Sequence, residues 1–141
     1  MLVLLLAIAL HTGCGKELGR IPFSAEGIAE RTVTLESGEV NFWTDLDIRY
    51  EGDAMLGYEV TLQQAGTVVG RGVCEALGPL SITTMWVQTD LGDSHSRSGR
   101  GKMSCSTTLA KGGATVVRAR LAFSRRPGAA TLSKADLVIK Q

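Results

Sequence analysis

An all-β protein, built as an antiparallel β-sandwich of about eight strands, is the fold class that this sequence of 141 residues predicts. Three observations lead there. Apolar and polar side chains alternate with a period of two along most of the chain, the period of a strand with one buried face. Turn-forming pairs built on glycine separate the alternating runs at spacings of roughly 8 to 15 residues, as the strands of sandwiches and barrels are separated. Seventeen glycines against three prolines suit many tight turns better than a helical bundle, and no stretch carries a convincing helical period.

Residues 2–10 are apolar without a break. A helix needs about 20 such residues to cross a bilayer, so the run reads as the core of a signal segment over 1–13. Residues 14–20 are expected to be a tether and residues 21–141 the sandwich. A first edge strand is expected over 21–26, limited by Pro22 to the start or edge of a sheet. Residues 30–36 alternate Arg31, Val33 and Leu35 against Thr32, Thr34 and Glu36, and Ser37 with Gly38 turns them into the clearest run of all. Over residues 39–50, Phe42, Thr44, Leu46, Ile48 and Tyr50 share one face, while Asn41, Trp43, Asp45, Asp47 and Arg49 share the other. This run is expected to be the strand about which the others are arranged.

After Glu51, Gly52 and Asp53, the residues Leu56, Tyr58, Val60 and Leu62 repeat the alternation, which predicts a hairpin partner. Ala65 and Gly66 form a second hairpin signal leading to residues 67–74, so the chain is expected to continue as an antiparallel meander. Gly70 and Gly72 thin one face of that strand, as at a bulge or a close backbone approach. Residues 80–90 are partly apolar on both faces, the pattern of a central strand covered on both sides or of one lining a partner surface. Residues 91–101 are polar and aperiodic and are expected to be the longest exposed loop. Runs over 100–110, 114–124 and 131–140 complete the set. Jelly-roll and immunoglobulin-like connectivities both fit.

Fifteen Lys and Arg against fourteen Asp and Glu leave a net charge of +1, which provides no long-range field for nucleic acid. Arg118 and Arg120 alternate outward from a strand, and aromatics are only 5% of the chain, too few to stack bases along a basic groove.

The order Leu10, His11, Thr12, Gly13, Cys14 after the apolar run resembles the lipobox of bacterial lipoprotein signal peptides. The resemblance implies that Cys14 is acylated, becomes the mature amino terminus and anchors the protein to a membrane of the cell envelope. Gly15 in place of Asp after that cysteine implies the outer membrane. An ordinary signal cut nearby, giving a secreted protein, is the alternative. The rest of the chain is similar in outline to small β-sandwich accessory domains of secreted bacterial proteins.

Export makes Cys74 and Cys105 candidates for a disulfide, and neither has a Cys or His at metal-ligand spacing, so no metal site is expected. His95, with Asp90 or Asp93 and a nearby serine, supplies the residue types of a hydrolytic triad. Side chains adjacent on a loop lack the preorganisation that catalysis needs, so no catalytic residue is assigned. Asp45 and Asp47, with Glu51 and Asp53 beyond them, could converge on calcium, although an ion network with arginines fits the spacing better. Trp43 on the same face suits either packing or a carbohydrate-stacking platform. The expectation is a noncatalytic, exported, lipid-anchored module with a binding or envelope-structural role and no cofactor, its partner a protein or a glycan, with Trp43, Asp45 and Asp47 as candidate contacts. A secreted hydrolase using His95 and a carbohydrate- or calcium-binding domain are the alternatives.

Overall fold

The computed structural model describes residues 15–141, and both the apolar run at 2–10 and Cys14 lie outside them. The described residues form nine strands: β1 (Glu17–Ile21), β2 (Gly27–Leu35), β3 (Gly38–Glu51), β4 (Met55–Gln64), β5 (Thr67–Glu75), β6 (Thr83–Leu91), β7 (Ser94–Leu109), β8 (Gly113–Arg125) and β9 (Ala129–Lys140). They make two sheets, ordered β1-β9-β3-β7-β6 and β2-β8-β4-β5, and every pairing is antiparallel.

The pairing pattern resolves the connectivity. β4 pairs with β5, β3 with β7, β2 with β8 and β1 with β9, which is one long hairpin closed at Ala65 and Gly66. Successive rungs of that hairpin fall alternately in the two sheets, and β9 against β3 and β8 against β4 seal the roll. This is a jelly roll, and β6 is an extra strand added outside β7. Both central turn residues have positive φ, 49° at Ala65 and 79° at Gly66, as a two-residue type I′ hairpin requires.

β3 is the middle strand of its sheet, flanked by β7 and β9. It does not pair with β4. Gly52 (φ 79°) turns the chain into the opposite sheet, so the meander expected here is replaced by a crossover. The apolar faces of β3 and β4 meet across the sandwich: Phe42, Leu46 and Ile48 join Leu56, Tyr58, Val60 and Leu62 in one core. Inside it Thr44 and Tyr58 share a hydrogen bond of 2.8 Å, and burial pushes the Tyr58 phenol above its ordinary pKa. Alternation identifies a strand's buried face, but it does not distinguish a neighbour beside the strand from one facing it.

Three further expectations change. The tether expected over 14–20 is strand from Glu17 onward, because Ile21 fills the core (1% exposed) and Arg20 reaches carboxylates on β3 and β9. The exposed Pro22 follows that strand rather than opening one. Residues 80–90 contain an edge strand, not a covered central one, since among the described residues β6 pairs only with β7. Residues 91–101 are not a loop: Gly92 and Asp93 make a two-residue turn, with φ 58° at Gly92, and β7 begins at Ser94. Its polar, serine-rich sequence is held extended by main-chain ladders to β3 on one side and β6 on the other.

Cys74 on β5 and Cys105 on β7 are disulfide-bonded across the two sheets, 31 residues apart. The bridge clamps the margin where Gly70 and Gly72 supply no side-chain packing. A covalent loop of that length restricts the unfolded chain by about 3 to 4 kcal/mol in the chain-entropy model.

Candidate functional site

The outward face of the five-stranded sheet carries two polar assemblies at opposite ends of β3. Near the amino-terminal end, Trp43 and Asp45 occupy outward positions yet are 3% and 8% exposed. Lys140 lies over the indole at 4.1 Å from the ring centroid. Among the described residues the indole Nε1 and the neighbouring Asn41 Oδ1 have no hydrogen-bond partner. Asp45 stands directly opposite Asp136 of β9, two like charges that repel unless cations separate them. Arg20 does so, with Nη1 donating to Asp45 at 2.8 Å and to Asp136 at 3.0 Å, while Nη2 reaches Glu17 at 3.0 Å. Lys134 and Arg100 add contacts to Asp45 at 3.1 and 3.3 Å. Burial works against the charges here, but the bonded partners prevail: Asp45 is held below the ordinary carboxylate range and Arg20 above the ordinary guanidinium range.

The candidate contacts from the sequence are therefore not gathered into one open site. Asp45 is enclosed by three cations, Trp43 lies beneath Lys140, and Asp47 is exposed opposite Lys134 and Ser98. Among the described residues, no three His, Cys, Asp or Glu side chains come together as metal ligands.

The second assembly lies at the far end of the same sheet. Strand register places Arg49 between Ser96 and Thr131, and Glu51 between Ser94 and Ala129, with Thr89 and Leu91 continuing the two rows onto β6. These residues line an open groove of about 560 Å³ that crosses four strands, with Tyr50 and His95 also contributing to its wall. Small side chains form its floor, so the depression follows from sheet twist and from the absence of bulk at Ser94, Ser96, Ala129 and Ala130. One cation, one anion and four serine and threonine hydroxyl groups are presented together.

A bonded cluster stiffens this end from below. His95 Nδ1 lies 2.6 Å from Asp90 Oδ1, Arg97 donates to the same oxygen at 2.8 Å, and Gln88 donates to Asp90 Oδ2 at 3.2 Å. These bonds, that from His95 foremost, lower the Asp90 carboxyl to about 2. An ionised carboxylate only accepts, which assigns the hydrogen to His95 Nδ1. The imidazole stacks on Tyr50 with centroids 5.0 Å apart, and Arg97 lies 5.9 Å from the same ring. The sequence supplied Asp90 and His95 as candidates, placed Arg49 on the outward face of its strand and offered Glu51 as a calcium contact, but gave no sign that these two meet Ser96 and Thr131, which become their neighbours only through the long-range pairing of β9, β3 and β7.

Asp90 and His95 have the relationship of an orienting acid and a base. A hydrolase also needs a nucleophile in reach of the imidazole. Ser94 and Ser96 flank His95 on its own strand and so point to the other face, and among the described residues no serine hydroxyl is hydrogen-bonded to the ring.

Neither a protein-family model nor a curated protein sequence matches the chain.

Proposed function

We propose that this is an exported, lipid-anchored, noncatalytic binding module of the bacterial cell envelope, and that the groove across β9, β3, β7 and β6 takes a glycan. The observation that carries the ligand class is the groove itself: hydroxyls of Thr89, Ser94, Ser96 and Thr131 around Arg49 and Glu51 match the donors and acceptors of a polyhydroxylated chain. Its volume, about 560 Å³, lies within the range of small-ligand sites. Export is supported by the disulfide, which persists in oxidising compartments, and by the apolar run before Cys14.

The same geometry supports an anchor remote from the groove. Lys16 and Gln141 exchange main-chain hydrogen bonds of 2.7 and 3.2 Å, so strand pairing begins two residues after Cys14. Gln141 follows Lys140, which pairs with Asn41, and the groove lies further along β3 at Arg49 and Glu51, about 30 Å away. A lipid on Cys14 would hold the groove clear of the membrane surface.

Glycan-array screening of the intact protein, followed by titration of Arg49→Ala and Ser96→Trp, tests the ligand class. Both variants should keep the wild-type melting temperature within a few degrees, because both sites face outward, and should lose binding at least tenfold. Binding that is unchanged when Ser96 is replaced by Trp would exclude the groove. A hydrolase is the second reading, favoured by the Asp90–His95 pair alone; it would be supported if the wild-type protein cleaved a bound glycan and His95→Ala bound it without cleavage.

A further inference from the structure

Among the described residues the free edge of β6 differs from the other three sheet edges. β1, β2 and β5 carry charges within the strand: Glu17 and Arg20, Glu30 and Arg31, and Arg71 and Glu75. Charges of this kind keep an open edge from pairing with another chain. β6 reads TTMWVQTDL and has no charge before Asp90. It also exposes Met85 (88%), Val87 (61%) and Leu91 (74%), close together on one strand. A β-bulge between Thr84 and Val87 holds Met85 at φ 54°, a left-handed conformation that side chains with a Cβ rarely adopt. Gly99 permits it, since a Cβ there would meet the Met85 carbonyl oxygen at 2.5 Å.

We infer that β6 is a homodimerisation strand, pairing antiparallel with β6 of a second copy. The turn at Gly92 and Asp93 sets which backbone groups are free. Leu91 faces Ser94 across a two-residue hairpin and is bonded to it, and the alternation of the ladder then directs Thr89 and Val87 toward β7 as well. Gln88 and Asp90 consequently present N–H and C=O to the open edge. A second β6 engages them when Gln88 pairs with Asp90 of the other copy and Asp90 with its Gln88. That register is self-complementary. Thr89 meets Thr89 on the two-fold axis, and on the outward face Val87 meets Leu91 of the other copy at both ends, so these two apolar side chains cover one another, while Met85 falls outside the paired segment. Each Asp90 faces a neutral amide instead of its like-charged counterpart and keeps its bonds to His95 and Arg97.

Pairing joins two five-stranded sheets into one of ten and brings the two grooves side by side on the same face, because Thr89 and Leu91 line the groove and the interface alike. The amino termini then lie at opposite ends of the joined sheet, so a pair anchored at both lies with its strands along the membrane, where a single copy stands upright on its anchor. A contact between two strands buries less than the roughly 1,200 Å² of a standard interface, so the dimer is transient and its population depends on concentration.

The register fixes the test. In the full chain, Thr89→Cys places two thiols at a non-hydrogen-bonded pair on the axis, and mild oxidation should give a disulfide-linked dimer on a nonreducing gel. Val68→Cys, on the edge of β5, serves as the control. Sedimentation of the otherwise wild-type chain should show mass doubling with concentration, and Val87→Lys or Leu91→Lys should weaken association at least tenfold without lowering the melting temperature. Thr89→Cys that cross-links no more than Val68→Cys, or lysine variants that associate as the wild type does, would overturn the inference. So would a β6 edge that binds an added extended peptide while copies of the chain remain apart. None of these outcomes depends on glycan binding.

Discussion

Arg20 is the residue on which the outer face depends most. Its guanidinium lies between two carboxylates that face each other across the β3–β9 ladder, and both are nearly inaccessible, Asp45 at 8% and Asp136 at 6%. Removing one partner from a buried charge network costs about 3 to 5 kcal/mol, and partial exposure of Arg20 with retention of Lys134 brings the expected loss for Arg20→Met to roughly 2 to 3 kcal/mol. The distinguishing result is the double variant. Asp136→Asn in the Arg20→Met background removes the repulsion and should recover at least half of the lost stability in urea unfolding; strictly additive losses would show that the carboxylates do not oppose each other as described.

At the scale of the element, β6 and β7 show what the sequence made legible. The alternation in β3, β4 and β8 was readable because each buries one face against a common core. Residues 91–101 were not readable, because both faces of the distal half of β7 carry small or polar groups: Ser94, Ser96 and Ser98 form part of the outward face, while His95 and Arg97 bond to Asp90 on β6. The strand exists through main-chain pairing with two neighbours, one of them 43 residues away at Glu51 opposite Ser94. Only the Gly92–Asp93 turn was a local signal of it. Asp90, at the end of β6, ties the hairpin together and gives it a pH signature. Its folded pKa, about 2, is below the ordinary value near 4, so its contribution is complete above about pH 4 and is lost as the pH falls toward 2. Between those limits, wild-type stability should fall more steeply than that of Asp90→Asn; parallel profiles would show that the His95 and Arg97 bonds contribute nothing to folding.

For the whole molecule, periodicity and turn spacing reached the sandwich, and the inference of export reached the Cys74–Cys105 pairing, but nothing local reached the roll. The reason is that a jelly roll is defined by partners far apart in sequence: β1 with β9, β2 with β8, β3 with β7. The candidate groove depends on the same long-range partners, and Arg49, Ser96 and Thr131 are adjacent only because β3 lies between β7 and β9. Core positions were legible, since burial imposes a local pattern, whereas a surface site assembled from four strands leaves none.

The bonds between Lys16 and Gln141 also have a mechanical meaning. β1 and β9 are antiparallel, and the terminal residues meet at one end of the ladder. Force applied to Lys16 and Gln141 would open that ladder one bond at a time, like a zip, and single-molecule stretching from those two points should give low rupture forces. Force applied at Lys16 and at the groove would instead run along the strand axes and load the β1–β9 bonds together in shear, with Arg20 bracing β1 to Asp45 and Asp136. The same domain should therefore withstand a substantially higher load when pulled between residue 16 and residue 94 than between residues 16 and 141. A tensile load between an anchored amino terminus and a ligand in the groove would follow the stronger of these two directions.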